Sequence, residues 1–237
     1  MLKDTVEDYK LKAYKQRETY ISTINHDLKI PTLAQIRALE LLAGESLGLL
    51  NPKQKEVVNL TLDSCRSMYE IMSHILYSYK FENQDIVPDI ESIDVIGLIR
   101  ESFDTFCRNS SDKSMCAKMK SLKTQIFIHA DKEQLSKAFE NIFGYCFSCA
   151  HYKGHILCEI NSGTKYMTAK ISFENPFMKY KNFENMFNKY TTSDEKLDKL
   201  GTNLRLYLAK QIIKSHNGEL ILETINTNFL CIVKLPI

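Results

Sequence analysis

Glycine is scarce in this chain, eight residues in 237, and no internal repeat or low-complexity tract is present. No run of about 18 apolar residues occurs that could span a bilayer. The first residues, with Lys3, Asp4, Glu7 and Asp8, lack the apolar stretch of an export signal. A dominant charge is lacking too: the formal net charge of +2 leaves no strong field aimed at nucleic acid or an acidic membrane. These absences argue against a nucleic-acid binder and against direct membrane insertion, and predict a cytoplasmic protein. The seven cysteines are scattered, as expected of free thiols in a reducing cytosol. Cys146 and Cys149 are the only close pair; on a helix they share a face and pack as small hydrophobes. No second pair lies at the spacing a zinc site needs.

What is present is the composition of an ordinary globular protein, 44% hydrophobic and 25% charged, with room for one or two domains. From Ile21 an apolar seam recurs at steps of three and four through Ile24, Leu28, Pro31, Gln35, Leu39 and Leu42, the period of a helix. A thinner seam of Val6, Tyr9, Ala13 and Tyr14 precedes it. Gly44, Gly48 and Asn51-Pro52 break the helix. A second helix over about Lys53–Phe81 carries two stripes. One is Val57, Leu60, Ser64, Met68, Ile71, Ile75 and Tyr79; the other is Val58, Leu62, Cys65, Met72 and Leu76. Two stripes offer more apolar face than one hairpin partner covers, which predicts a homodimeric four-helix bundle.

Residues 83–90 read as a linker, and the rhythm then becomes mixed. Helices are expected over Val95–Cys107, from an N-cap at Asp131 with Gln134 in the capping-box position, and over Leu204–His216, stopped by Asn217-Gly218. Strands are expected at Thr124–His129, Ile156–Ile160, Tyr166–Phe173, Glu219–Thr224 and Phe229–Leu235. Phe183–Tyr190 reads as a short helix. Helices among mostly antiparallel strands make the second part a two-layer α/β sandwich and the whole chain α+β.

His26 lies about 200° around the helix from Ile24 and Leu28, so its imidazole is expected to face water. A lone histidine is usually a surface residue or a satisfied core residue. Two neighbours change that reading. Asp27 sets a carboxylate beside the ring, to orient one nitrogen and take its proton while the other attacks. Pro31 removes a backbone donor and bends the helix next to the imidazole, at a cost of about 3 kcal/mol that asks for a reason. The stretch His26-Asp27-Leu28-Lys29-Ile30-Pro31, followed by Ala34-Gln35-Ile36-Arg37-Ala38-Leu39-Glu40, resembles the H-box of sensor histidine kinases. Tyr190-Thr191-Thr192-Ser193, Gly201-Thr202 through Lys210, and His216-Asn217-Gly218 extend the resemblance. It implies a dimerisation and histidine-phosphotransfer hairpin at 1–82 and a catalytic, ATP-binding domain of the GHKL (Bergerat) type at 91–237.

The resemblance also implies a nucleotide site, and there the sequence departs from the pattern. Asn141 matches the first asparagine of the N-box, a ligand for magnesium, but Tyr145 stands where the second belongs. A phenol is a poor ligand for a hard cation. Glu174 takes the place of the adenine-reading aspartate, and Pro176 and Met178 replace the glycines of that box. In the last box Gly201 is kept, while Asn203 and Arg205 replace glycines that let a backbone approach phosphates. Arg205 offers charge to an anion instead. ATP with magnesium is the implied cofactor, with Asn141, Glu174 and Gly201 as remnants of its site. Ile30, four residues after His26, has no group with which to position a water, which argues against dephosphorylating a response regulator. Three altered boxes out of three favour a phosphotransfer protein: His26 takes a phosphoryl group from a response regulator or partner kinase and passes it to a receiver aspartate. The alternatives are an active kinase with an atypical ATP site and a non-catalytic pseudokinase scaffold coupled to an upstream sensor.

Overall fold

Two long helices open the chain. The computed structural model describes residues 2–82, 87–109, 116–150, 154–174, 183–187 and 200–237. Helix α1 runs Leu2–Ala43, straight through Pro31, and α2 runs Pro52–Glu82. Between them Glu45 (φ 57°) and Gly48 (φ 125°) turn the backbone through the left-handed region. Asn51 then starts α2 with a reciprocal box: its Oδ1 accepts from Gln54 N–H at 2.9 Å, and Gln54 Oε1 accepts from Asn51 N–H at 2.9 Å. Pro52 occupies the first helical position, where no N–H is needed. The helices lie antiparallel, with Thr19 Oγ1 3.2 Å from Tyr79 Oη at one end and Lys55 Nζ 3.3 Å from Glu45 at the other. The chain divides into two compact units, Met1–Ile86 and Val87–Ile237.

Within the hairpin, the stripe α1 turns to α2 differs from the apolar seam of the sequence. Among the described side chains of α1, Asn25, Thr32 and Ile36 are buried, and Ile24 and Leu28 are exposed. Thr32 is tolerated in this inner stripe because its hydroxyl bonds locally: Oγ1 donates to the Leu28 carbonyl at 2.8 Å. On α2 the Leu62–Met72 stripe packs inward, while Val57, Leu60 and Met68 face out.

In the second unit, β1 (Ile90–Asp94) pairs antiparallel with β3 (Phe127–Asp131). A five-stranded sheet has the order β2-β4-β5-β7-β6. Its strands are β2 (Cys116–Ser121), β4 (His155–Ser162), β5 (Tyr166–Glu174), β6 (Glu219–Ile225) and β7 (Asn228–Pro236). Only the β2–β4 pairing is parallel. Three helices accompany the sheet: α3 (Val95–Asn109), α4 (Lys132–Cys149) and α5 (Leu200–Ser215). A 3-10 turn covers Glu184–Phe187. The strands alternate: Ile156, Cys158 and Ile160 on β4 and Met167, Ala169, Ile171 and Phe173 on β5 are buried with the apolar face of α4. This period of two on the strands against 3.6 on the helices produces the α+β, two-layer arrangement.

Strands β1 and β2 were not expected. Ile90 falls in the stretch read as linker, and β2 is an edge strand of alanine and lysine with weak strand propensity, held by pairing with a distant strand. The cap of α4 is also richer than a capping box. Asp131 Oδ1 accepts from Gln134 N–H (2.9 Å) and Oδ2 from Asp89 N–H (3.0 Å), and the Gln134 amide donates to Oδ2 (3.0 Å). The Asp131 N–H instead donates to His216 Nε2 at 3.0 Å, while His216 Nδ1 lies 2.8 Å from the Ile212 carbonyl and so carries the proton. At the end of α5, Asn217 (φ 56°) takes the left-handed turn and Gly218 N–H closes on the Ile213 carbonyl at 2.9 Å.

Burial pushes the Asp131 carboxyl up, but the donors from Gln134 and Asp89, with His216 nearby, hold it below the ordinary range. A depressed folded value means stability that is present above about pH 4 and lost as the pH falls through the folded value. Urea unfolding monitored by circular dichroism should therefore show the wild type losing stability below about pH 4 more steeply than Asp131→Asn. Equal slopes would contradict the assignment.

Candidate functional site

Helix α1 presents His26 to solvent: its side chain is 70% exposed, and Nδ1 lies 3.3 Å from Asp27 Oδ1. An exposed contact of this length contributes little to stability. A proton on Nδ1 facing the carboxylate would leave the Nε2 lone pair toward solvent. Nε2 has no hydrogen-bond partner among the described residues. Pro31 denies the Asp27 carbonyl its helical donor one turn on, without ending the helix. Ile30 is exposed and brings no polar group to the site.

The residues expected around a nucleotide lie in the second unit, and they do not form one polar cluster. Asn141 is buried on α4 and makes no side-chain hydrogen bond among the described residues. Tyr145, one turn further, is 1% exposed, with its ring 5.8 Å from that of Phe229. Phe229 in turn contacts Phe173 at 5.1 Å and Phe183 at 5.7 Å. Glu174 ends β5 at the surface, where Thr227 Oγ1 donates to Oε1 at 3.4 Å. Gly201 lies in the first turn of α5. Asn203 is buried, and its Oδ1 has no hydrogen-bond partner among the described residues.

Arg205 crosses onto α4. A Cβ added to Gly144 would come within 1.8 Å of Arg205 Nη1 and 3.4 Å of the Phe106 ring. Gly144 of α4 therefore leaves room for the Arg205 side chain of α5. Over the same region the 3-10 turn inserts Phe183 and buries Met186, and Phe187 lies under Lys210 Nζ at 4.0 Å. The remaining members of the expected boxes, Asn175 to Met178 and Tyr190 to Ser193, lie outside the described residues, as do residues 188–190 of the expected short helix.

Among the described residues the donor set offers little to a magnesium ion. Tyr145 directs an aromatic ring into the core, against Phe229, and the Arg205 side chain lies against Gly144 of α4. No group of three or more His, Cys, Asp or Glu among the described residues could hold a metal ion. Cys146 and Cys149 sit on α4 as a helical pair. Burial pushes the Cys146 thiol well up, and pushes Cys158 up to about 12, so neither supplies the thiolate that metal or redox chemistry requires. No helix among the described residues is long and apolar enough to cross a membrane.

A helical hairpin bearing an exposed histidine, joined to a helix-covered mixed sheet, is the fold of a histidine kinase core. The comparisons agree. The sensor histidine kinase GlrK of Escherichia coli K12 is 23% identical over 229 residues, covering 93% of this chain and 46% of GlrK. Full-length ShkA, solved in complex with AMPPNP, superposes with a TM-score of 0.71 at 15% identity, over 92% of this chain and 45% of ShkA. Histidine kinase ThkA, solved in complex with the response regulator protein TrrA, gives 0.64 at 16% identity, over 93% and 64% of the two chains. No protein-family model matches the chain. The chain spans 46% of the length of GlrK. In sequence and in fold it matches the sensor histidine kinase family of two-component signalling.

Sequence reasoning missed the contact between Gly144 and Arg205 and the aromatic cluster around Phe229, because both join residues far apart in the chain. Tyr145→Asn tests whether the phenol is structural. It should cost about 3–5 kcal/mol in chemical denaturation, the range for emptying a buried aromatic position. Tyr145→Phe should cost less than about 1.5 kcal/mol. A Tyr145→Asn protein as stable as wild type would contradict this packing role.

Proposed function

We propose that the chain is a two-component relay protein: His26 accepts a phosphoryl group made elsewhere and passes it to an aspartate of a response-regulator receiver domain. The observation that carries the reading is the contrast between the two units. His26 is exposed and Asp27 is placed beside it, whereas the nucleotide-site positions are spent on packing, Tyr145 against Phe229 and Arg205 over Gly144. In this reading Asp27 orients the imidazole and takes its proton, and the second unit is a docking body. ThkA was solved with a response regulator, which supports a receiver as partner. The outward stripe of Ile24, Leu28, Leu60 and Met68 supports a homodimer, in which a second hairpin covers it. The cytoplasm is the compartment where such a partner and the seven free thiols are both at home.

A second reading is an active kinase with an atypical site built on Asn141, Glu174 and Gly201, with Asn141 as the remaining magnesium ligand. It is favoured by the fold shared with ShkA, which was solved with AMPPNP. Labelled phosphoryl transfer separates the two. The relay predicts label on the purified chain from a phosphorylated receiver, lost in His26→Gln, and none from magnesium–ATP. Label from ATP that disappears in His26→Gln would establish the kinase reading instead.

A further inference from the structure

Beside His26 a groove of about 760 Å³ runs between α1 and α2. His26, Lys29, Tyr69, Ser73, Tyr77 and Lys80 are among the residues lining it, and none of its lining residues is acidic. Lys29 lies one helical turn after His26 and so on the same side of α1. It is half-buried, its Nζ stands 4.7 Å from the centre of the Tyr69 ring, and it forms no ion pair among the described residues. A partly desolvated ammonium usually finds a carboxylate. Here the ring face supplies the attraction and leaves the positive charge uncompensated. A phosphoryl group on His26 would bring anionic oxygens to the same groove, and a charge-assisted bond to them is stronger than the contact with the ring.

We infer that Tyr69 is a positioning residue for the chemistry at His26: its ring holds the Lys29 ammonium in the groove, where Lys29 takes up the charge of the phosphoryl group. The inference rests on the relay reading and adds α2 to the site. In the transfer, the Nε2 lone pair attacks phosphorus. The Nε2–P bond forms as the bond from phosphorus to the donor's leaving atom breaks, and the leaving group keeps that electron pair and picks up a proton. The Nδ1 proton passes to Asp27 or to water. Lys29 acts through its charge and forms no covalent bond.

The test uses the full chain and phosphoramidate, a small donor that releases ammonia and needs no receiver. The readout is the rate of label appearing on His26, with helical content checked by circular dichroism. Tyr69→Leu should slow loading by up to about tenfold, the upper range for a desolvated cation–π contact. Lys29→Gln should slow it at least as much. The double variant should be no slower than Lys29→Gln alone, because both changes remove one device. Tyr69→Phe and Tyr69→Trp, which keep a ring face, should load at the wild-type rate. Wild-type loading in Tyr69→Leu, multiplying effects in the double variant, or equal losses in Tyr69→Phe and Tyr69→Leu would overturn the inference. Lys29→Gln leaves Tyr69 in place, so its unchanged rate would overturn it even if Tyr69→Leu lost helix. A wild-type chain that never loads at His26 would overturn the relay reading as well. Loading of the wild type with no effect of Tyr69→Leu overturns the role of Tyr69 alone.

Discussion

Phe139, Ile142, Phe143 and Tyr145 of α4 are all buried, Phe143 against Phe103 of α3 and Tyr145 against Phe229 of β7, so this one helix ties the helical layer to the sheet. Each such side chain contributes about 1.5–3 kcal/mol when removed from water. A magnesium ligand at position 145 would have to give up that burial. The same exchange recurs on α5, where Arg205 lies over Gly144. Under the proposed relay, positions that a nucleotide would need open or polar are filled by the chain's own side chains. The fold survives this exchange because its core depends on apolar periodicity, whereas phosphate binding depends on particular glycines and donors.

The hairpin obeys a different constraint. Histidine chemistry asks for an exposed nitrogen and a neighbouring carboxylate, and α1 places these on two adjacent residues, His26 and Asp27. Neither draws on the second unit. Retaining the phosphoacceptor while the nucleotide site fills with side chains is therefore physically coherent under the proposed relay. The groove adds one element from α2, the Tyr69 ring under Lys29, so the site is a property of the folded hairpin and not of one helix.

Much of this was legible in the sequence. Both long helices, the break at Gly44 to Pro52, the cap at Asp131 and the stop at Asn217-Gly218 follow from local signals, and the structure has them at those places. Strand β2 was not legible, since Ala117, Lys118 and Lys120 carry little strand propensity and their partners on β4 lie some forty residues away. The hairpin also turned a different face inward: Asn25 and Thr32 pack toward α2, and the stronger apolar seam of Ile24 and Leu28 is left outward. Periodicity shows that a helix has an apolar face, but not which neighbour covers it. Likewise the departure at Tyr145 could be seen in the sequence, while its partner Phe229 could not.

The central claim is that phosphate on His26 comes from outside the chain. Isothermal titration calorimetry of the full chain with ATP, with and without magnesium, tests it most directly. If phosphate reaches His26 from outside the chain, no saturable heat is expected in either condition. Saturable binding that strengthens when magnesium is added would contradict it.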